Sequence, residues 1–256
     1  MKELLLALPA GQETRGRDFG LTPAHMAYRV GAGPKLLGIR LPQTLRGGLM
    51  QVDCAGFDGA GDPVGCCRQI LGECRRRSFR GIVCDFEGLP AGCLPKLVEI
   101  LDRNCAAQGW SLYVPECYAS YAPKARVLVP SVLTHGTLER RLRGAAERYG
   151  KERTALAVEW IREDFLLPAK GRGEPLGREE LEGMIHRLEP AVFFDRGLCA
   201  HYFTYMMGPQ AHFVLFDTPR SIREKLSVAQ GAGAYAALLP GPEVEDCLEE
   251  LFGTQD

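Results

Sequence analysis

The sequence predicts an α/β protein: a (β/α)8 TIM barrel carrying a small α+β insertion after its seventh strand. Three observations predict it. The chain has 256 residues, 46% of them hydrophobic, which fits one barrel domain of about 250 residues with a full core. Apolar, β-branched runs alternate with helical patterns across short connections, the signature of a parallel sheet. Runs such as Gly81-Ile82-Val83-Cys84 are apolar throughout, as strands covered on both faces are.

In chain order, strands are expected over residues 3–8, 35–40, 49–54, 81–86, 111–115, 126–130, 154–160, 191–194, 212–216 and 234–239. Between them lie amphipathic helices. One begins at Asp62-Pro63, an N-cap followed by proline at the first helical position. A second buries Leu94, Leu97, Val98, Leu101 and Cys105 at helical spacing. Others carry Leu138, Leu142, Ala145 and Tyr149; Leu181, Met184, Ile185 and Leu188; and Ile222, Leu226 and Ala229. Ten strands exceed the eight of a barrel, so the surplus is placed in an inserted subdomain over 161–220 within a single domain, 1–256.

Composition narrows the function. With 31 basic and 32 acidic side chains and a net charge of −1, the chain lacks the basic field that nucleic-acid binding requires. No apolar stretch reaches the roughly 18 residues of a membrane span. The opening MKELLLALPAG has an apolar run, Leu4 to Leu8, and an acidic Glu3. That run is shorter than the ~7–15 apolar residues of a signal sequence, so it reads as a first strand and a cytoplasmic location is expected. Oligomeric state has no signature in the sequence.

The ten cysteines suggest disulfides or metal, but their spacing does not: Cys66 and Cys67 are adjacent and no CxxC pair occurs. Cys67 and Cys74 fall in phase with Val64, Ile70 and Leu71, and Cys247 with Val244, Leu248 and Leu251. They read as small buried hydrophobes in a reducing compartment. The five histidines are scattered, so neither a metal site nor a cofactor is expected. Gly231, Gly233 and the Lys170–Gly173 run do not match a phosphate loop. Ser131 and His135 lack a nucleophile elbow. The Arg75-Arg76-Arg77 run is expected to be solvated at a helix C-terminus.

Polar residues gather where the apolar strands stop. Arg40 ends the second expected strand, Asp53 the third, Asp85 and Glu87 the fourth, Glu116 the fifth and Glu159 the seventh. In a parallel barrel those ends share one face, where active sites are built. Strand alternation sends Asp85 and Glu87 inward and Phe86 outward to the helices.

The stretch RGIVCDFEG, residues 80–88, resembles the strand-four motif DxxDxDxE of glycoside hydrolase family 18, the chitinase-like barrels. Asp85 and Glu87 match its last two acids, whereas Arg80 and Val83 stand at the two earlier aspartates. Residues 202–239 resemble the C-terminal part of bacterial, spore-associated members, where Phe216, Asp217, Ser221, Ile222 and Lys225 of FDTPRSIREKL are similar to a phrase like FxDxxSIxxKL. The resemblance implies a barrel acting on an N-acetylated glycan or a peptidoglycan-derived fragment. Glu87 would be the acid/base and Asp85 would orient the substrate's acetamide, in a substrate-assisted route. Arg40, Asp53, Glu116, Ser131 and Glu159 would line the pocket, with carbohydrate as the ligand.

Two departures from the family pattern accompany these matches. The stretch VLVPSVLTHG, residues 127–136, offers Val132 and Leu133 where the family has Met-x-Tyr-Asp, and Tyr235-Ala236-Ala237-Leu238 stands near its strand-eight tryptophan. A barrel that binds glycan or acts as a scaffold without catalysis, for instance in sporulation, is therefore the first alternative. The second is a two-carboxylate retaining glycosidase with Glu87 as acid/base and Glu159 as nucleophile. Trp160 beside Glu159 would then be either a sugar platform or core packing.

Overall fold

In the computed structural model, the described residues are 1–9, 12, 16–39, 42–133, 135–169 and 171–253. The strands are β1 (Glu3–Leu8), β2 (Thr22–Val30), β3 (Leu36–Gly38), β4 (Leu49–Asp53), β5 (Gly81–Asp85), β6 (Ser111–Pro115) and β7 (Arg126–Pro130). They continue as β8 (Thr154–Ala157), β9 (Arg162–Leu166), β10 (Glu174–Pro175), β11 (Phe193–Asp195), β12 (Ala200–Met207), β13 (Gln210–Phe216) and β14 (Ala236–Pro240). Strands β1, β2, β4, β5, β6, β7, β8 and β14 pair in parallel in that order, and β14 closes onto β1. The chain is a (β/α)8 barrel.

One inward residue from each of the eight strands builds the centre: Leu5, Ala24, Leu49, Val83, Tyr113, Leu128, Ala155 and Ala236. All are buried, so the barrel is filled by side chains and leaves chemistry to its two ends. Helices α1 (Pro63–Arg77) and α2 (Leu94–Gln108) cover β4 and β5 with Ile70, Cys74, Leu97, Leu101 and Cys105. The Asp62 side chain accepts the N–H of Val64 at 2.9 Å to start α1, as its position before proline predicts. On the other side, α3 (Leu138–Tyr149) and α5 (Pro219–Gly231) pack through Leu142, Ile222 and Leu226.

The second barrel strand is a correction. It is β2, not residues 35–40; β3 lies antiparallel beside the far end of β2, outside the barrel. Pro23, His25 and Arg29 break the apolar run of β2, which hides it from pattern reading. His25 is nevertheless fully buried, its Nε2 2.9 Å from the Gly47 carbonyl and its ring 5.4 Å from Phe79. Arg40, expected to end this strand, lies outside the described residues. Arg77 also departs from the expectation of a solvated run. It is buried, its Nε donating to Glu73 at 2.6 Å and its Nη1 to the Pro42 and Leu45 carbonyls.

Between β8 and β14 the chain builds a second, antiparallel sheet in the order β10-β9-β13-β12-β11. Helix α4 (Arg178–Leu188) packs on one face, where Leu181 and Met184 meet Phe203, Val214 and Phe216. By alternation the opposite face carries Phe165, Phe213, Tyr202 and Phe193, whose neighbouring ring centroids lie 6.1, 5.3 and 5.5 Å apart. After β14, α6 (Gly241–Val244) and α7 (Leu248–Phe252) complete the shell.

The cysteines pack. Cys66, Cys67, Cys74, Cys84 and Cys105 belong to the core between the sheet and α1–α2. Burial pushes the Cys67 thiol up to about 11 and that of Cys66 to about 12, so both stay protonated and unreactive. Among the described residues, no helix is long and apolar enough to cross a membrane.

Candidate active site

At the C-terminal ends of β2, β4 and β5 the register aligns Arg29 with Asp53, and Asp53 with Asp85. These three residues, with Cys54, Ala55 and Glu87, line an open cavity of about 430 Å³. Strand alternation works as expected here. Phe86 turns outward into the core and meets Tyr118 edge-on at 5.7 Å, while Asp85 and Glu87 face the cavity.

The three carboxylates differ in their commitments. Asp53 is held by Arg29, whose Nε and Nη2 donate at 2.6 and 3.2 Å, and by the Ala55 N–H at 2.9 Å. Asp85 accepts one hydrogen bond, from Gln51 Nε2 at 2.9 Å. Withdrawal from water raises the Asp85 carboxyl above the ordinary aspartate value, Glu87 and Asp53 push the same way, and the Gln51 bond opposes them. Glu87 is exposed, and among the described residues its carboxylate has no hydrogen-bond or ion-pair partner. Beneath it, the Cys54 thiol meets the backbone of Glu87 and is raised mainly by burial.

Gln51 and Arg29 escaped sequence reading. Gln51 is buried, and among the described residues its Oε1 has no hydrogen-bond partner. Its signal was a lone amide at an inward position of the otherwise apolar Leu49-Met50-Gln51-Val52 run. It stands in register with Val83 and reaches Asp85 from the neighbouring strand. Arg29 lies on the strand that the pattern did not reveal.

The other expected pocket residues lie elsewhere. Glu116 turns away to Arg141, which grips both its oxygens, and to the Tyr149 hydroxyl at 3.2 Å. Ser131 is buried and fastens the strand ends: its Oγ accepts the Glu159 N–H at 2.9 Å, and its own N–H donates to Ala157. Glu159 follows β8 where the chain leaves the barrel. Its carboxyl is raised, chiefly by burial, against the pull of Arg172 and Lys225. Trp160 packs against the core.

Residues of the FDTPRSIREKL stretch form a buried brace behind this exit. Lys225 Nζ donates to Asp217 Oδ2 at 2.5 Å and to the Glu159 carbonyl at 3.2 Å. Asp217 also accepts the Ile161 N–H at 2.9 Å and the Ser221 hydroxyl at 2.8 Å. The brace ties the insertion's return to its departure. Val132 and Leu133 are partly buried, Leu133 against the core. Tyr235 precedes β14 at the opposite end of the barrel, under Arg126, whose guanidinium carbon is 3.9 Å from the ring centroid.

No protein-family model matches the chain, and no curated protein sequence does. Solved structures do match. The spore cortex-lytic enzyme SleL of Bacillus cereus superposes with a TM-score of 0.67 at 14% identity, over 98% of this chain and 74% of that one. A chitinase from Chromobacterium violaceum gives 0.67 at 17% identity, over 94% of each chain. A GH18 chitinase from Cycas revoluta, in complex with (GlcNAc)3, gives 0.62 at 13% identity, over 98% of each. At these identities the likeness is one of fold: the chain is a divergent barrel with the architecture of the GH18 chitinases and spore cortex-lytic enzymes.

Proposed function

We propose that the protein acts on N-acetylated glycan or peptidoglycan-derived fragments, with Glu87 as general acid/base and Asp85 as its helper. The observation that carries this reading is that Asp85 and Glu87 share an open cavity at the C-terminal end of the barrel, with Glu87 unpaired among the described residues. Similarity to a chitinase solved with (GlcNAc)3 supports a carbohydrate ligand.

In this route protonated Glu87 gives its proton to the glycosidic oxygen as the C–O bond breaks. The substrate's acetamide oxygen bonds to the anomeric carbon, and Asp85 steadies the positive charge that results. Glu87 then takes a proton from the water that opens the ring intermediate. Gln51 keeps Asp85 directed into the cavity. A cytoplasmic location is part of this reading, with Cys66, Cys67, Cys74, Cys84 and Cys105 packed as core thiols.

Glu159 does not line the cavity that holds Glu87, which favours this route over a two-carboxylate pair. The position of Tyr235 at the opposite end, which leaves the mouth without that aromatic, favours a non-catalytic glycan-binding barrel as the second reading. Turnover of N-acetylglucosamine oligomers and muropeptides separates the two. Glu87→Gln is expected to slow hydrolysis by about 10²–10⁴-fold with the fold intact. Absence of turnover in the unmodified protein, with glycan binding unchanged by Glu87→Gln, would establish the non-catalytic reading instead.

A further inference from the structure

We propose that the cavity at the N-terminal end of the barrel binds an oxyanion of the phosphate class. At about 830 Å³ it is larger than the mouth cavity, and its lining brings together Lys2, Arg46 and Arg80 with the hydroxyl-bearing Thr22, Ser78 and Ser111. Three cations thus face one carboxylate, Glu3, and that carboxylate already accepts the Tyr113 hydroxyl at 2.6 Å.

The cationic groups are underused. Among the described residues the Arg80 side chain has no hydrogen-bond or ion-pair partner. Arg46 uses Nη1 alone, on the Gln43 and Leu45 carbonyls. Lys2 reaches Glu152 at 3.0 Å, but both side chains are mostly exposed, so this pair is weak. One layer further in, Arg126 donates to Ser111 Oγ at 2.8 Å, while its buried Nε has no acceptor among the described residues.

Guanidinium groups with free N–H forks match the spaced oxygens of a phosphate. A concave wall of one charge sign also concentrates the field where such an anion would sit. A neutral sugar would leave these donors' charge unused, and a cation would be repelled. Free phosphate, a phosphorylated small molecule and a phosphate polymer share this chemistry. The cavity lies at the end opposite Glu87, so the proposal stands or falls apart from the hydrolase reading.

The test is calorimetric titration at low ionic strength with inorganic phosphate, a hexose phosphate and linear polyphosphate. Saturable binding of at least one is expected, weakening as salt is added. Arg80→Glu and Arg46→Gln should each weaken it by about tenfold or more, the loss of one charge-assisted hydrogen bond. Both side chains are exposed, so the folded state is expected to survive either change, and each variant reads the site separately. The tightest of the three ligands identifies the source of the phosphate group. Arg148→Gln, in the separate basic cavity beside α3, should change nothing. No saturable binding, or an affinity altered by Arg148→Gln but by neither cavity variant, would overturn the proposal.

Discussion

Asp217 and Asp85 both stand at strand ends near the barrel mouth, and the protein treats them in opposite ways. Asp217 is buried and receives three donors besides its own backbone bond, among them the Lys225 ammonium at 2.5 Å. Asp85 faces an open cavity, takes one amide hydrogen bond, and has two other carboxylates for neighbours. A charge gripped by three donors and closed off from water is architecture, because no ligand can reach it. A charge held by one donor among like charges is costly to the fold. Such cost is found where a ligand or a proton completes the set.

The largest expected effect would break this comparison at its architectural side. Lys225→Met leaves Asp217 buried without its counter-charge and should cost about 3–5 kcal/mol in urea unfolding. Lys225→Met combined with Asp217→Leu should recover much of that loss. A near-neutral single variant would mean that the brace is dispensable. Gln51→Leu acts on the other side, and its readout is a titration. With its donor gone, the Asp85 carboxyl should titrate at still higher pH, as followed by carbon NMR of the labelled side chain. An unchanged midpoint would show that Gln51 does not set the charge of Asp85.

The smallest effect is a pH-dependent gain. A carboxyl raised in the folded state binds its proton more tightly there than in the unfolded chain. Stability therefore falls as pH rises from the ordinary aspartate value through the raised one. Asp85→Asn should be more stable than the parent at pH 7 and equal to it below the ordinary aspartate range. Equality at both ends of the scale would show that folding leaves the Asp85 carboxyl unperturbed.

The legibility of this molecule followed burial. Strands such as Gly81–Asp85 are covered on both faces, so sequence shows them as unbroken apolar runs. Thr22–Val30 carries a buried histidine whose polarity is satisfied by a carbonyl from a distant loop, and no local pattern records such a partner. Asp85 and Glu87 were legible because strand alternation is local. The departure of Glu116 from the group was not, since it depends on Arg141 lying across from it in space. Likewise, Asp217 and Lys225 were recognisable as part of a phrase, but only their burial shows that the phrase is a brace.

The β14 strand closes the barrel against both β8 and β1, yet the chain reaches it only after the inserted sheet. Sealing the cylinder thus pairs Glu3 with Ala236, a contact of very high sequence separation that carries a large loop-closure entropy. Assembly should accordingly proceed from the β4–α1–β5–α2 sector outward and finish at the β1–β14 seam.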